Sequence, residues 1–194
     1  IAIACACAAG LASCTTGTGG SDRPDSTATS TASRPAEASV LVEHAYGSTE
    51  VPVQPERAIS FSQAWTDAFA SLGHPVATEV VSTLFEAGVP WSTDAAGESI
   101  TNSGGGADAI SSFGVEEIAA KDPDVIFAGY VPDQETFDAL SAIAPTVAPV
   151  GPGNTHASRA LTTAAGAIVR DADSAHELLS VVAVLMPKVP HDHP

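Results

Sequence analysis

The sequence predicts an α/β domain built on a parallel sheet with helices on both faces. Short apolar runs alternate with stretches of helical periodicity from residue 40 onward. Two of those runs, Ala58 to Phe61 and Asp124 to Ala128, are apolar at all positions but one, as suits strands covered on both sides. The third observation is that all three cysteines, Cys5, Cys7 and Cys14, fall in the first 14 residues. The body therefore has no thiol for a disulfide framework, a cysteine-based zinc site or a cysteine nucleophile.

Val40 to Tyr46, the pair Gly47-Ser48, and Thr49 to Val53 read as a hairpin, whose second strand Pro52 and Pro55 confine to an edge. Ala58 to Phe61 is a short buried strand. A helix capped by Ser62 or Thr66 runs to about Leu72, with Trp65, Ala68, Phe69 and Leu72 at helical spacing. Gly73-His74-Pro75 ends it, and Val76 to Val81 forms the next strand. Residues 82–113 read as loop, with Gly104-Gly105-Gly106 a flexible turn. No Lys-Ser/Thr follows the triplet, so it is no phosphate cradle.

Val115 to Lys121 is a short helix with Glu116 and Glu117 at its positive end. Asp124 to Ala128 is a buried strand, and Asp133 to Ile143 an amphipathic helix showing Phe137, Leu140 and Ile143 on one face. Thr146 to Val150 is a further strand, and helical pattern resumes from about Ser158 to Leu185.

Ahead of this body stands a different composition. Ile1 to Ala12 is apolar and uncharged, too short to span a bilayer and of the length of a signal-peptide core. It leads into Leu11-Ala12-Ser13-Cys14, which resembles a bacterial lipobox. On that reading the Cys14 thiol takes a diacylglyceryl group, and acyl chains hold the protein at a membrane. Thr15 to Ser39 is rich in Ser, Thr, Gly, Pro and Ala; it lacks the apolar residues to bury a core and is expected to be a disordered tether.

Charge narrows the function. With 23 Asp+Glu against 7 Lys+Arg, net −16, the chain is unsuited to nucleic acid, whose phosphates need clustered cations. It is equally unsuited to an anionic lipid surface through a basic face. His44, His74, His156 and His176 show no paired ligand spacing, and His191-Asp192-His193 lies on a terminal tail, a poor metal site. No nucleophile elbow, dinucleotide fingerprint or paired acid and base is present, so no catalytic residue is named.

Four blocks in order carry a resemblance. They are His44-Ala45-Tyr46-Gly47 with Glu50-Val51-Pro52, then Pro55-Glu56-Arg57-Ala58-Ile59. Next come Ile118-Ala119-Ala120-Lys121-Asp122-Pro123-Asp124-Val125-Ile126 and Leu140-Ser141-Ala142-Ile143-Ala144-Pro145-Thr146-Val147. Behind a lipobox, they resemble the class III solute-binding lipoproteins of ABC importers, which take up ferric siderophores, haem or vitamin B12. The resemblance covers about residues 40–180. It implies a three-layer α/β lobe, the amino lobe of a two-lobed periplasmic-binding fold, preceded by the tether.

The expected division is residues 1–13 as a partial signal peptide and 14–39 as lipidated cysteine and linker. Residues 40–157 are the amino-terminal ligand-binding lobe. Residues 158–194 are the start of the interlobe helical region and a divergent tail, with the carboxyl lobe missing, as in a truncated form. The implied function is capture of an Fe3+-siderophore complex and delivery to an ABC permease, outside the cell membrane and anchored to it by lipid. No resident cofactor or metal is implied.

In open α/β sheets ligands gather beyond the carboxyl ends of strands. That places Ser62, Gln63 and Trp65 after one strand, Gly129 and Tyr130 after another, and Trp91 near the same rim. Aromatic rings there suit the flat faces of an iron chelate. The resemblance also makes Glu116 the carboxylate that meets the permease. No Arg follows either strand, which weighs against a tricatecholate ligand. The readings that compete are a surface lipoprotein for a metal ion, haem or cobalamin, a non-functional fragment, and an α/β enzyme on the same sheet.

Overall fold

The structure is a computed structural model that describes residues 38–82, 96–104, 108–151 and 157–185. Cys14, the tether, Trp91 and the His191-Asp192-His193 tail lie outside the described residues.

A hairpin opens the described chain. Strands β1 (Ser39–His44) and β2 (Gly47–Pro52) pair antiparallel, with His44 opposite Gly47. The turn is therefore Ala45-Tyr46, two residues earlier than the Gly47-Ser48 that the sequence suggests. Tyr46 is drawn into the turn by tertiary contacts that composition does not show.

The main sheet has five parallel strands: β3 (Ala58–Ser60), β4 (Val76–Ser82), β5 (Ala96–Asn102), β6 (Val125–Phe127) and β7 (Thr146–Val147). Their order is β5-β4-β3-β6-β7. Helices are α1 (Gln63–Ser71), α2 (Ala109–Phe113), α3 (Val115–Ala120), α4 (Gln134–Ser141), α5 (Ser158–Val169) and α6 (Ala172–Leu185). Side chains alternate across the central strands. Ala58, Val125 and Phe127 join Trp65, Phe69, Leu161 and Ile168 on one face. Ile59 and Ile126 join Ile110, Ile118, Val131 and Leu140 on the other. Three layers result, as the alternation of elements predicts.

Strand β5 and helix α2 correct the loop reading of residues 82–113. The segment Ala-Gly-Glu-Ser-Ile-Thr-Asn is polar because β5 is the sheet's edge, where only Asn102 is buried. Its pairing is parallel to β4 from Val76↔Ala96 to Ser82↔Asn102. An edge strand covered on few sides loses the apolar pattern by which strands are recognised.

The helical run from Ser158 to Leu185 divides into two elements. Arg170 takes a left-handed conformation (φ 62) that ends α5. The Ser174 N–H then donates to Asp171 Oδ1 at 3.0 Å, restarting the chain as α6. The two helices touch at Gly166, where a Cβ would collide with that of Ala175.

The quoted sequence blocks meet at the amino ends of the strands. Asp124 Oδ2 accepts the N–H groups of Glu56 and Arg57 at 2.8 and 3.0 Å, and Arg57 Nε donates to the Asp122 carbonyl at 2.6 Å. These residues fasten the start of β3 to the start of β6. The end of α1 is as local as the sequence suggests. Gly73 (φ 74) and His74 donate to Ala70 and Phe69, closing the helix with a left-handed cap. Among the described residues no helix is long and apolar enough to cross a membrane.

Candidate ligand-binding rim

All five strands being parallel, their carboxyl ends lie at one rim. From β3 the chain builds outward through β4 to β5, then returns to the other side of β3 for β6 and β7. The direction of winding switches between β3 and β6. At such a switch point the two connecting loops leave on opposite faces and a crevice opens. Here the two loops are Phe61-Ser62-Gln63 after β3 and Ala128-Gly129-Tyr130-Val131 after β6.

The two loops are pressed together at the crevice floor. A Cβ on Gly129 would stand 2.6 Å from the Phe61 carbonyl oxygen. Phe61 N–H donates to the Phe127 carbonyl at 2.8 Å, extending the ladder to the rim. Gly129 thus brings two main chains close.

The sequence-predicted residues separate in this geometry. Gln63 is half-buried at the head of α1, and its Nε2 donates to Asp67 Oδ1 at 2.8 Å. Ser62 is the N-cap residue of α1 and is buried; its N–H donates to Ser60 Oγ, while its carbonyl accepts from Ser60 Oγ and from the Thr66 N–H. Gly129 and Tyr130 are half-buried on the facing loop.

Trp65 does not stand at the rim. It is 0% exposed, with its ring 4.6 Å from Phe127 and 5.8 Å from Phe69, centroid to centroid. One turn into α1, the helical period turns it toward the sheet, and burying so large a ring is worth more there than at an edge. Trp65 is accordingly a core residue, which corrects its place among the ligand-contact candidates. Glu116 is exposed in the first turn of α3.

Tyr46 is a rim residue the sequence reading missed. Its hydroxyl donates to the Val131 carbonyl at 2.9 Å, and its ring stacks on Phe137 at 5.0 Å and 7°. Burial chiefly, then Asp133 and Tyr130, push its phenol above the usual value, so it stays a neutral donor. Two tyrosines therefore neighbour each other on the β6 side. The only sequence signal was the place of Tyr46 in the first quoted block.

On the β4 side a cleft of about 180 Å³ is lined by Phe61, Gln63, Val80, Ser82, Gly104 and Ala109. Asn102 shapes its wall, donating to the Ala109 carbonyl at 2.7 Å and accepting the Gly104 N–H at 3.0 Å. Larger hollows lie elsewhere. One of 260 Å³ sits at the amino ends of β3 and β4 around Ala58, His74 and Val76, the wrong end of the sheet for a ligand. Another, of 710 Å³, is a broad open depression between β1 and α5 with few polar groups to orient a solute.

Beyond β3, β4 and β6 the rim is uncharged to acidic. Of the described cations, Arg57 and Lys121 lie beside the amino ends of β3 and β6, Arg159 stands in the first turn of α5 after β7, and Arg170 ends α5. Among the described residues no group of three His, Cys, Asp or Glu is placed to hold a metal ion. The rim offers amide, hydroxyl and aromatic groups on a fixed scaffold, which is equipment for holding a solute.

No protein-family model and no curated protein matches the chain. Solved structures do. A periplasmic solute-binding protein from Mycobacterium smegmatis str. MC2 155 is 28% identical with a TM-score of 0.59, over 74% of this chain and 51% of that one. SirA of Staphylococcus aureus, solved complexed with staphyloferrin B, is 25% identical with a TM-score of 0.56, over 73% and 46%. A TroA-like periplasmic binding protein from Xylanimonas cellulosilytica is 21% identical with a TM-score of 0.56, over 76% and 50%. The chain spans about half the length of the solved structures it matches. Its fold is that of the class III, TroA-like periplasmic binding proteins, over a part of their length. The matched proteins are solute-binding proteins and not enzymes.

Proposed function

We propose that this chain forms one wall of the solute site of an extracytoplasmic binding protein serving an ABC importer, and that the solute is a ferric siderophore. The observation that supports this is the switch point between β3 and β6, flanked by Gln63 and Tyr130, with the cleft of about 180 Å³ beside it. Support for the ligand class comes from the likeness to SirA, solved with staphyloferrin B. The absence of Lys or Arg beyond β3, β4 and β6 favours a chelate of low net charge, because the segments that follow these strands carry Asp67 and Asp133 and no cation of their own. Residues Gln63, Gly129 and Tyr130 are proposed to touch it, with Ser62 shaping the loop beneath and Trp91 as a further candidate. Cys14 is the proposed lipid anchor, residues 15–39 the tether, and Glu116 the contact to the permease.

A titration tests the reading. Calorimetry of the 194-residue chain with a neutral ferric trihydroxamate should show saturable but weak binding, roughly millimolar, because one wall buries about half the ligand surface. A trianionic ferric tricatecholate should bind less well, and Tyr130→Ala should weaken the hydroxamate about tenfold, the scale of one lost aromatic contact. Absence of binding by any ferric chelate at millimolar concentration sinks the siderophore assignment. Nanomolar affinity would show instead that this wall holds the whole site.

A further inference from the structure

The turn that brings Tyr46 to the rim is held by one histidine whose two nitrogens have fixed roles. The Tyr46 N–H donates to His44 Nδ1 at 3.2 Å. On the other side, His44 Nε2 lies 2.9 Å from Thr49 Oγ1. That hydroxyl gives its own hydrogen to the Thr146 carbonyl at 2.8 Å. Thr49 is therefore an acceptor toward His44, so Nε2 carries the hydrogen and Nδ1 the lone pair. The ring is neutral, and its one free position for a second proton is already taken by a donor.

We propose that His44 is an acid-sensitive latch, which holds the Ala45-Tyr46 turn and the Tyr46 ring on the rim while neutral and releases them when protonated. A proton on Nδ1 would face the Tyr46 N–H, donor against donor, and the turn must open to separate them. What the latch holds is specific. Tyr46 stacks on Phe137 and donates to Val131, His44 lies 5.3 Å from the same Phe137 ring, and the Ala45 N–H donates to the Pro149 carbonyl at 3.0 Å. The rest of the hairpin stays in place when the turn opens, because Val42 and Val51 are buried in the core.

The surroundings act in the same sense. Burial pushes the imidazole below its ordinary value, against a smaller opposing pull from Glu43 on its own strand. From α4 it meets the uncharged Phe137, while Asp133 at that helix's start acts on the Tyr46 phenol. From β2 and β7 it meets Thr49 and, through it, the Thr146 carbonyl. The latched form thus binds fewer protons than the released one. The latch is fully closed above the free value of about 6.5, and its hold falls as pH drops below that toward the depressed latched-state value.

This inference concerns the rim's own conformation and stands whatever solute the rim binds. Amide hydrogen exchange on the 194-residue chain tests it, with His44→Asn as the variant; an asparagine oxygen accepts the N–H two residues on but does not titrate. Between pH 7.5 and 5.0 the protection factor of the Tyr46 amide, corrected for intrinsic exchange, should fall about tenfold in the native chain, the loss of one hydrogen bond. It should stay level in His44→Asn. In parallel, the imidazole NMR titration of His44 in the native chain should have a midpoint below the free value of about 6.5. Identical protection profiles in the two proteins, or a His44 midpoint at or above the free value of about 6.5, overturns the latch.

Discussion

Replacing Gly129 by alanine puts a methyl group where the two loops of the crevice touch. Gly129 is not among the glycines with positive φ, so alanine meets no backbone penalty there and the effect is steric alone. The added Cβ would lie 2.6 Å from the Phe61 carbonyl oxygen and 3.4 Å from Ser62 Cα. Neither neighbour is a flexible side chain; both belong to the backbone that ends β3. Relief requires β3 and β6 to part at the rim by several tenths of an ångström, in a sheet whose central residues are fully buried. Overpacking of this kind costs ~2 kcal/mol. For a domain of this size that lowers Tm by roughly 4–8 °C. It moves the urea midpoint by about 1 M at an m-value of roughly 2 kcal/mol per M. Gly73→Ala is the comparison, because its left-handed φ of 74 is strained by a side chain yet nothing stands within 4 Å. That variant should lose about 1 kcal/mol without touching the rim. Chelate affinity should fall only in Gly129→Ala. If Gly129→Ala melts and binds as the native chain does, the close approach of the two loops is wrong.

The remaining predictions concern the helix start, the anchor and the docking residue. Asp133 accepts the Thr136 N–H at 2.8 Å, and this bond holds its carboxyl below the usual range. Asp133→Ala should therefore lower the urea midpoint at pH 7. The difference from the native chain should shrink as pH falls below about 4 and through the depressed native value, vanishing once the carboxyl is protonated; a gap that persists at pH 2 counts against the cap. With a complete export signal supplied, the chain should partition into bacterial membranes and Cys14→Ser should move to the soluble fraction. Equal membrane retention of both would remove the lipid anchor. In a two-lobed carrier bearing this domain, Glu116→Lys should impair iron uptake with chelate affinity nearly unchanged; equal losses of both would place Glu116 at the ligand instead.

Much of the fold was legible because its signals are local. Phe137, Leu140 and Ile143 share a helical face whatever the rest of the chain does, and Asp133 caps that helix through its own neighbour Thr136. Gly73 reports a left-handed turn from its missing side chain alone. The fully apolar strand at Val125–Phe127 announces burial on both faces. Strand β5 was not legible, because an edge strand with one neighbour carries no obligatory apolar pattern. Nor was the break at Arg170, where a non-glycine residue takes a left-handed conformation with no composition to mark it. The site divided likewise. That ligands gather beyond the carboxyl ends of parallel strands follows from the βαβ rhythm, whereas the strand order that sets the switch point between β3 and β6 does not. Which side chains face the crevice does not follow: Trp65 lies two residues after Gln63, yet the helical turn sends it into the core.

The sequence by itself determined the parallel α/β architecture, the apolar and then polar composition ahead of it, and the acidic balance of the chain. These depend on periodicity, composition and charge, which are properties of neighbouring residues. Tertiary structure alone decided that Asp124 ties the start of β6 to the Glu56-Arg57 turn, 67 and 68 residues away in sequence. It alone placed Tyr46 beside Val131, 85 residues on. It set Gly129 against the Phe61 carbonyl and left the fixed donor pattern of His44 between a turn and a strand. Each of these is a hydrogen bond or a van der Waals limit between distant segments, and no local rule encodes a distance until the sheet has brought its strands into register.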